Sequence, residues 1–292
     1  MLATQERTKV VAVNLEYLKQ VYFTFDQPVP YSLGNKILYI APIKLKDSNL
    51  FLSAIDILNI DKNSCSDVKI IQMSYLQFLC ERILNGNYKT KQEKDLMNYK
   101  FYIIMNLCLG IKSPVFYYDN NVKLYDSNNP EIIINAKQFE EIKKIIMYQN
   151  IVHYDDSYIN PELKQVMFDV DEVKNKDLQV PDLERQIAII TSHCGLSKKE
   201  QIDMTYRSHS LLFEEVSGEV EFETIRPVAL ISGSSDKLEH WIFKKKKNKF
   251  KDYVETVDAY TKNIGGNNSI RTSNNVGIGD SYMKQYNNFN KN

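Results

Sequence analysis

Few residues have side chains and neighbours suited to catalysis, and they lie far apart along the sequence. His153 is followed by Asp155 and Asp156, and a histidine beside carboxylates can act as a general base or a metal ligand. These carboxylates are adjacent in a loop before a predicted helix, which favours a solvated connection. His193 and Cys194 are adjacent too, and neighbouring positions seldom give nucleophile–base geometry. The sequence therefore predicts a protein that is not an enzyme. Catalysis by His153, Asp155 and Asp156 stays open as one alternative.

The motifs for phosphate and metal binding are incomplete. Residues 110–113 read Gly-Ile-Lys-Ser, but a phosphate-binding loop needs a glycine directly before the lysine and another five residues earlier. Asp169 and Asp171 begin like a calcium loop, without its glycine at the sixth position or its glutamate at the twelfth. The four cysteines form no C-x-x-C pair, which favours reduced structural thiols. We therefore expect no cofactor and no metal.

The strongest charge signal is a lysine cluster near the C-terminus. Basic and aromatic side chains alternate there, as single-stranded nucleic-acid binding requires. The same pattern is also typical of a solvated face, or of docking onto an acidic partner or the acidic middle of this chain or a neighbouring copy. The candidate interaction residues in this segment are Trp241, Phe243, Lys244, Lys245, Lys246, Lys247, Lys249 and Lys251.

The overall charge is neutral, yet its distribution is uneven. The 292 residues carry 37 basic and 37 acidic groups. This balance excludes two classes of protein: a uniformly basic protein that coats nucleic acid, and a strongly acidic chain that stays solvated. Residues 131–235 hold 11 basic and 19 acidic groups, a net charge of −8, and the segments on both sides are basic. Abundant Tyr and Phe residues suit protein–protein contact. These features favour a protein-binding surface.

The elements that would position these residues predict an α+β protein. An N-terminal mixed α/β unit is expected over residues 1–130, with helices on both sides of Asn85-Gly86. No signal peptide is recognised. The longest apolar stretch, Phe101–Gly110, would rise about 15 Å as a helix, roughly half the thickness of a bilayer core. We therefore expect a cytoplasmic protein that does not span a membrane. Strands are expected in residues 10–15, 21–25, 36–46, 115–118, 122–125 and 132–134.

A helix-rich unit is expected over residues 131–262. Capping boxes begin helices at Asn135 and Ser197, and the second helix carries Tyr206 and Phe213, two further candidate interaction residues. Gly218 is expected to end that helix, and the alternation over residues 219–224 predicts an exposed strand.

Two further predictions concern the same half of the chain. The helix pair joined at Gly195 has the layout of a DNA-reading motif, but residues 181–215 carry a net charge of −2, which favours an ordinary helical hairpin. Residues 263–292 are rich in Asn, Gly and Ser and are predicted to form a disordered tail.

Two stretches resemble tail-region proteins encoded by phages of Gram-positive bacteria. Residues 142–163 read IKKIIMYQNIVHYDDSYINPEL, and residues 183–247 begin LERQIAIITSHCGLSKKEQIDMTYRSHSLLFEEVSGEVEF and end in SDKLEHWIFKKKK. Such proteins include tail assembly chaperones and virion-associated proteins. The resemblance implies a non-enzymatic role in tail morphogenesis in the host cytoplasm, with the virion as a further location. It implies binding to tail proteins, the tape-measure protein among them, through helices of residues 136–216.

Three questions stay open at this point. Homo-oligomerisation is compatible with the sequence but not specified by it. Nucleic-acid binding through Lys244–Lys251 is the alternative function, and the neutral net charge disfavours it without excluding it. No functional residue of the phage proteins can be transferred to a position in this chain.

Overall fold

The computed structural model describes residues 13–62, 67–119, 121–157, 159, 161–175, 181–233, 238, 240 and 242. Helices predominate, and the strands form two small antiparallel sheets, so the predicted α+β class is confirmed. The predicted tail over residues 263–292 lies outside the described residues. Among the described helices, none combines the length and apolar character that crossing a bilayer requires.

The described chain opens with helical turns where strands were predicted. Helix α1 (Leu15–Leu18) is capped by the Asn14 side chain and continues as a π-helical turn, Lys19–Phe23. The predicted strand at residues 21–25 is therefore wrong. The apolar side chains of Leu18, Tyr22 and Phe23 pack against the core with helical spacing, which outweighs the alternation seen in the sequence.

A hairpin and a three-stranded meander supply the described strands. Strands β1 (Val29–Leu33) and β2 (Lys36–Ile40) pair around a turn in which Gly34 has φ of +63°. Strands β3 (Pro114–Asp119) and β4 (Asn121–Asp126) pair with each other and confirm the strands predicted at residues 115–118 and 122–125, and β5 (Asn129–Ile134) pairs with the other side of β4. The predicted strand at residues 132–134 is confirmed and begins earlier than expected.

Four helices lie between the two sheets along the chain. They are α2 (Ser48–Ala54), α3 (Val68–Gln72), α4 (Tyr75–Asn85) and α5 (Lys91–Leu109). Asp67, Ser74 and Thr90 cap the last three through their side chains. Helix α5 joins a charged first half to the longest apolar stretch of the sequence, and Gly110, with φ of +68°, ends it.

One apolar core extends across the predicted boundary at residue 130. Helix α6 (Ala136–Asn150) begins at the predicted capping box of Asn135 and Gln138. Its buried face, which includes Phe139 and Ile146, belongs to the same hydrophobic cluster as α2, α4, α5 and the strands. Residues on both sides of position 130 therefore share a core, and the boundary stays a prediction.

Four more α-helices follow α6 in the described part of the chain. They are α7 (Pro161–Asn175), α8 (Leu183–Cys194), α9 (Lys198–Asp203) and α10 (Tyr206–Ile231). The predicted hairpin of α8 and α9 is present, with Gly195 at φ of +72° and a capping box at Ser197 and Glu200. The single helix predicted from Ser197 onward is interrupted, because Thr205 has extended backbone and caps a new helix.

Helix α10 is longer than the sequence predicts. It runs through Gly218 and Pro227 to Ile231, so the predicted stop at Gly218 and the predicted strand over residues 219–224 are both wrong. An interior glycine destabilises a helix by only about 1 kcal/mol. The positions Val216, Val220 and Thr224 recur every four residues, and this helical period prevails over the local alternation with glutamates.

Candidate protein-binding surface

Helix α10 begins at a hydrogen-bonded junction with the N-terminal part of the chain. The backbone N–H of Tyr206 donates to the Ile43 carbonyl at 2.8 Å, and that of Leu45 donates to the Met204 carbonyl at 2.9 Å. Tyr206, a predicted interaction residue, is half-buried at this contact. The paired backbones fix the position at which α10 starts.

The carboxylate of Asp26 accepts hydrogen bonds from two hydroxyl groups at the start of α10. Thr205 Oγ1 donates to Asp26 Oδ1 at 2.5 Å, and Ser208 Oγ lies 2.8 and 2.9 Å from the two carboxylate oxygens. Asp26 has φ of +56°, a left-handed conformation that aspartate tolerates better than most residues. This geometry aims its carboxylate at the helix start, where negative charge is also favoured by the helix dipole.

Arg207 and the end of α6 complete the junction. Arg207 is buried, and its Nη1 donates to the Tyr148 carbonyl at 3.0 Å. Burial lowers the pKa of Arg207, while the carboxylates of Asp26 and Glu214 oppose that shift. Asn150 Oδ1 accepts the N–H of Ile43 at 2.8 Å. Polar contacts thus join α6, α10 and the segments beside β1 and β2.

His209 lies on the buried face of α10 one turn after Thr205. The side chain is fully buried, and neither ring nitrogen has a hydrogen-bond partner among the residues that the structure describes. Burial lowers the pKa of His209, so the neutral imidazole is the form that the fold accommodates.

The buried face of α10 continues as an exposed apolar surface. His209, Phe213, Val216 and Val220 succeed one another at helical spacing, so they lie on one face. His209 is 0% exposed and Val216 is 3% exposed, but Val220 is 49% exposed. Beyond it, Val228 reaches 65% and Ile231 90%. We call Val220, Thr224, Val228 and Ile231, which continue this face, the exposed stripe.

Another face of α10 carries aligned glutamates. Glu215, Glu219 and Glu223 are spaced four residues apart, and we call them the acidic row. Glu219 lies 3.0 Å from His193 Nε2 at the end of α8, and Glu223 lies 4.0 Å from Arg226. The C-terminal half of α10 therefore combines an apolar stripe with an acidic row.

The residues considered for catalysis point to separate partners. His153 Nε2 lies 2.8 Å from Glu214, whereas Asp155 accepts the N–H of Ser157. Asp156 lies 2.7 Å from both Lys144 Nζ and the hydroxyl of Tyr148. Burial raises the pKa of Asp156, but the hydrogen bonds from Lys144 and Tyr148 outweigh it and leave the pKa below its ordinary value. These contacts hold the loop after α6, and none of them joins His153 to Asp155 or Asp156.

Tyr148, in the last turn of α6, lies against this loop. Burial, assisted by the hydrogen bond with Asp156, raises the pKa of Tyr148 to about 12. Tyr148 also stacks edge-on against Tyr154, with ring centroids 5.0 Å apart.

Within the described part of the chain, no three His, Cys, Asp or Glu side chains are placed to hold a metal ion.

The predicted interaction residues fall into two groups. Tyr206 and Phe213 are half-buried on α10, where they support the junction and the buried face. Trp241, Phe243 and the lysines from Lys244 to Lys251 lie outside the described residues. Sequence reasoning missed the exposed stripe, because the segment was predicted to be a strand. Its spacing of four, four and three residues would have indicated it.

Comparisons with protein-family models, curated proteins and solved structures find no match to this chain. Fold and surface together define an α+β protein with an anchored helix whose far half is exposed.

Proposed function

We propose that this chain is a non-enzymatic phage tail morphogenesis protein that binds another tail protein through the exposed stripe of α10. The observation that carries the proposal is the gradient of exposure along one helix face, from 0% at His209 to 90% at Ile231. The assignment to phage tails is supported by the sequence resemblance over residues 142–163 and 183–247, which include α10. Such a protein acts in the host cytoplasm during virion assembly.

The chemistry of the stripe supports recognition of a helix. Val220, Thr224, Val228 and Ile231 follow one another at intervals of four, four and three residues, so their side chains form one seam against which an apolar helix can pack. Exposed apolar side chains that lie together are typical of protein interfaces rather than of ordinary surface. A partner helix with an apolar face would complement the stripe.

The junction at Asp26 supports the same function, since it anchors the binding helix. Hydrogen bonds to Thr205, Ser208 and Arg207 fix the first turn of α10 against α6 and the N-terminal part. A helix held in this way has less conformational freedom to lose when a partner binds. Removal of the anchor should therefore weaken binding even though the stripe stays intact.

Co-expression with the products of neighbouring tail genes, followed by affinity capture, tests the proposal. Wild-type protein should retain one of them, and the tape-measure protein is the first candidate. The triple variant Val220→Asp/Val228→Asp/Ile231→Asp should lose it. Val68→Asp is the matched control, because Val68 is 61% exposed on the unrelated helix α3. Wild-type protein that retains no tail product would contradict the proposal.

A further inference from the structure

The chain reverses direction after α10. Gly233, with φ of +70°, follows the last turn, and its N–H lies 3.4 Å from the Leu230 carbonyl. The ring of His240 then lies against the ring of Phe222, with centroids 4.5 Å apart. Phe222 is about 14 Å back along the helix axis from Ile231, a distance that the residues after Gly233 can span. His240 therefore lies beside α10, back from the helix's C-terminal end.

The contact between His240 and Phe222 lies beside the acidic row. Glu219 and Glu215 precede Phe222 by three and seven residues, so they lie on the face that His240 contacts. Lys244 follows His240 by four residues, and an extended chain of that length reaches about 13 Å. Glu215 lies about 10 Å from Phe222 along the axis. The lysine segment is thus within reach of the glutamates.

The charges on the two segments are complementary. Lys244–Lys251 contains six lysines and no acidic residue. Residues 214–223 of α10 contain five glutamates and no basic residue. Glutamates four residues apart on a helix repel one another, and a cation beside them relieves that repulsion. Among the contacts described above, Glu219 pairs with His193, and Glu223 lies 4.0 Å from Arg226 on the exposed surface of the same helix.

We propose that the segment Lys244–Lys251 docks along the acidic row of α10 in its own chain. The partner of the lysine segment is then the carboxylate row Glu215, Glu219 and Glu223, and not a nucleic acid. Docking within one chain benefits from an effective concentration in the millimolar range. Individual exposed ion pairs are weak and screened by salt, so the docked segment is released at high ionic strength.

Zero-length carbodiimide cross-linking of the full-length protein tests this inference, because it joins lysine amines directly to carboxylates in contact. An equal mixture of unlabelled and ¹⁵N-labelled protein distinguishes bonds within a chain from bonds between chains. We expect links from Lys244–Lys251 to Glu215, Glu219 or Glu223, with both peptides carrying the same label. Raising the salt from about 0.05 M to about 0.5 M should reduce them about fivefold or more.

Two double variants supply the matched comparison. Lys245→Glu/Lys247→Glu should lower the links from the remaining lysines of the segment. Lys284→Glu/Lys291→Glu changes the same charge outside the segment and should leave them unchanged. Both experiments need no tail partner, so their failure is independent of the proposed function.

Three outcomes would overturn the inference. The first is a set of links from the lysines that misses α10 and reaches acidic groups elsewhere, such as Glu93 or Glu131. The second is a set of links that joins differently labelled chains, which would mean docking between copies. The third is loss of the links when a single-stranded oligodeoxynucleotide is added at about 0.05 M salt, which would assign the lysines to nucleic acid.

Discussion

At the scale of single residues, the carboxylate of Asp26 ties the start of α10 to the rest of the molecule. Thr205, which is fully buried, and Ser208 both donate to it across about 180 positions of sequence. Sequence reasoning identified neither this contact nor Thr205 as a cap, because hydrogen bonds between distant residues leave no local pattern. Local caps such as Asn135 and Ser197 were predictable, since cap and first turn are neighbours in sequence.

Replacing Asp26 should destabilise the protein. In Asp26→Ala the buried Thr205 hydroxyl loses its acceptor, so the free energy of unfolding should fall by about 2 kcal/mol. Asp26→Asn keeps an acceptor oxygen and a residue that tolerates positive φ, and should lose about half as much. Urea unfolding measures both. Asp95→Ala, an exposed carboxylate on α5, should stay within about 0.5 kcal/mol of wild type. An Asp26→Ala variant as stable as that control would show that Asp26 does not anchor α10.

His209 should make stability depend on pH. Burial lowers its pKa in the folded protein below the unfolded value of about 6.5, so the unfolded chain binds a proton that the folded chain excludes. The free energy of unfolding should therefore fall as pH drops from about 7 to about 5, and this part of the slope should vanish in His209→Leu. Urea midpoints at several pH values compare the two proteins. Parallel slopes would contradict this assignment.

At the scale of elements, α10 shows where sequence patterns mislead. Over residues 219–224 strict alternation of glutamate with other residues favours a strand, whereas over residues 209–231 the apolar positions have a helical period. The longer pattern decides, because a helix that packs its first half can extend through Gly218 and Pro227. A similar conflict occurs at residues 21–25, where helical turns replace the predicted strand.

Pro227 should weaken the far half of α10. Proline has no N–H to donate to the Glu223 carbonyl, and its ring strains the preceding turn. Pro227→Ala should therefore slow amide exchange over residues 219–231, consistent with a local gain of about 1–3 kcal/mol. Pro161→Ala is the control, because Pro161 is the first residue of α7, where the missing N–H has no helical acceptor. Faster exchange in Pro227→Ala would show that these residues are not helical in solution.

At the scale of the whole molecule, one core links segments that the sequence analysis assigned to two units. The α+β class was predictable, since helix caps and hairpin turns are local. The position of α6 was not, because its apolar face does not reveal which elements cover it. Composition also indicated an acidic middle, but it did not show that the glutamates align on one helix face beside an apolar stripe.

Fragments should reveal this shared core. A chain that ends at residue 130 lacks the buried side chains of α6, which belong to the cluster built on α4 and α5. It should show no cooperative unfolding transition, whereas a chain that ends at residue 157 should retain one, at lower stability than the full chain. Circular dichroism during urea titration measures both. Cooperative unfolding of the shorter fragment would support the boundary predicted at residue 130.

The most direct measurement is the affinity of a retained tail protein for wild type and for the stripe variants. We expect Val228→Asp and Ile231→Asp each to weaken binding about tenfold or more, because each places a charge in an apolar contact. Their unfolding free energies should match wild type, and Val68→Asp should bind within about twofold of it. A tail protein that binds wild type and the stripe variants equally would contradict the claim that α10 is the binding surface.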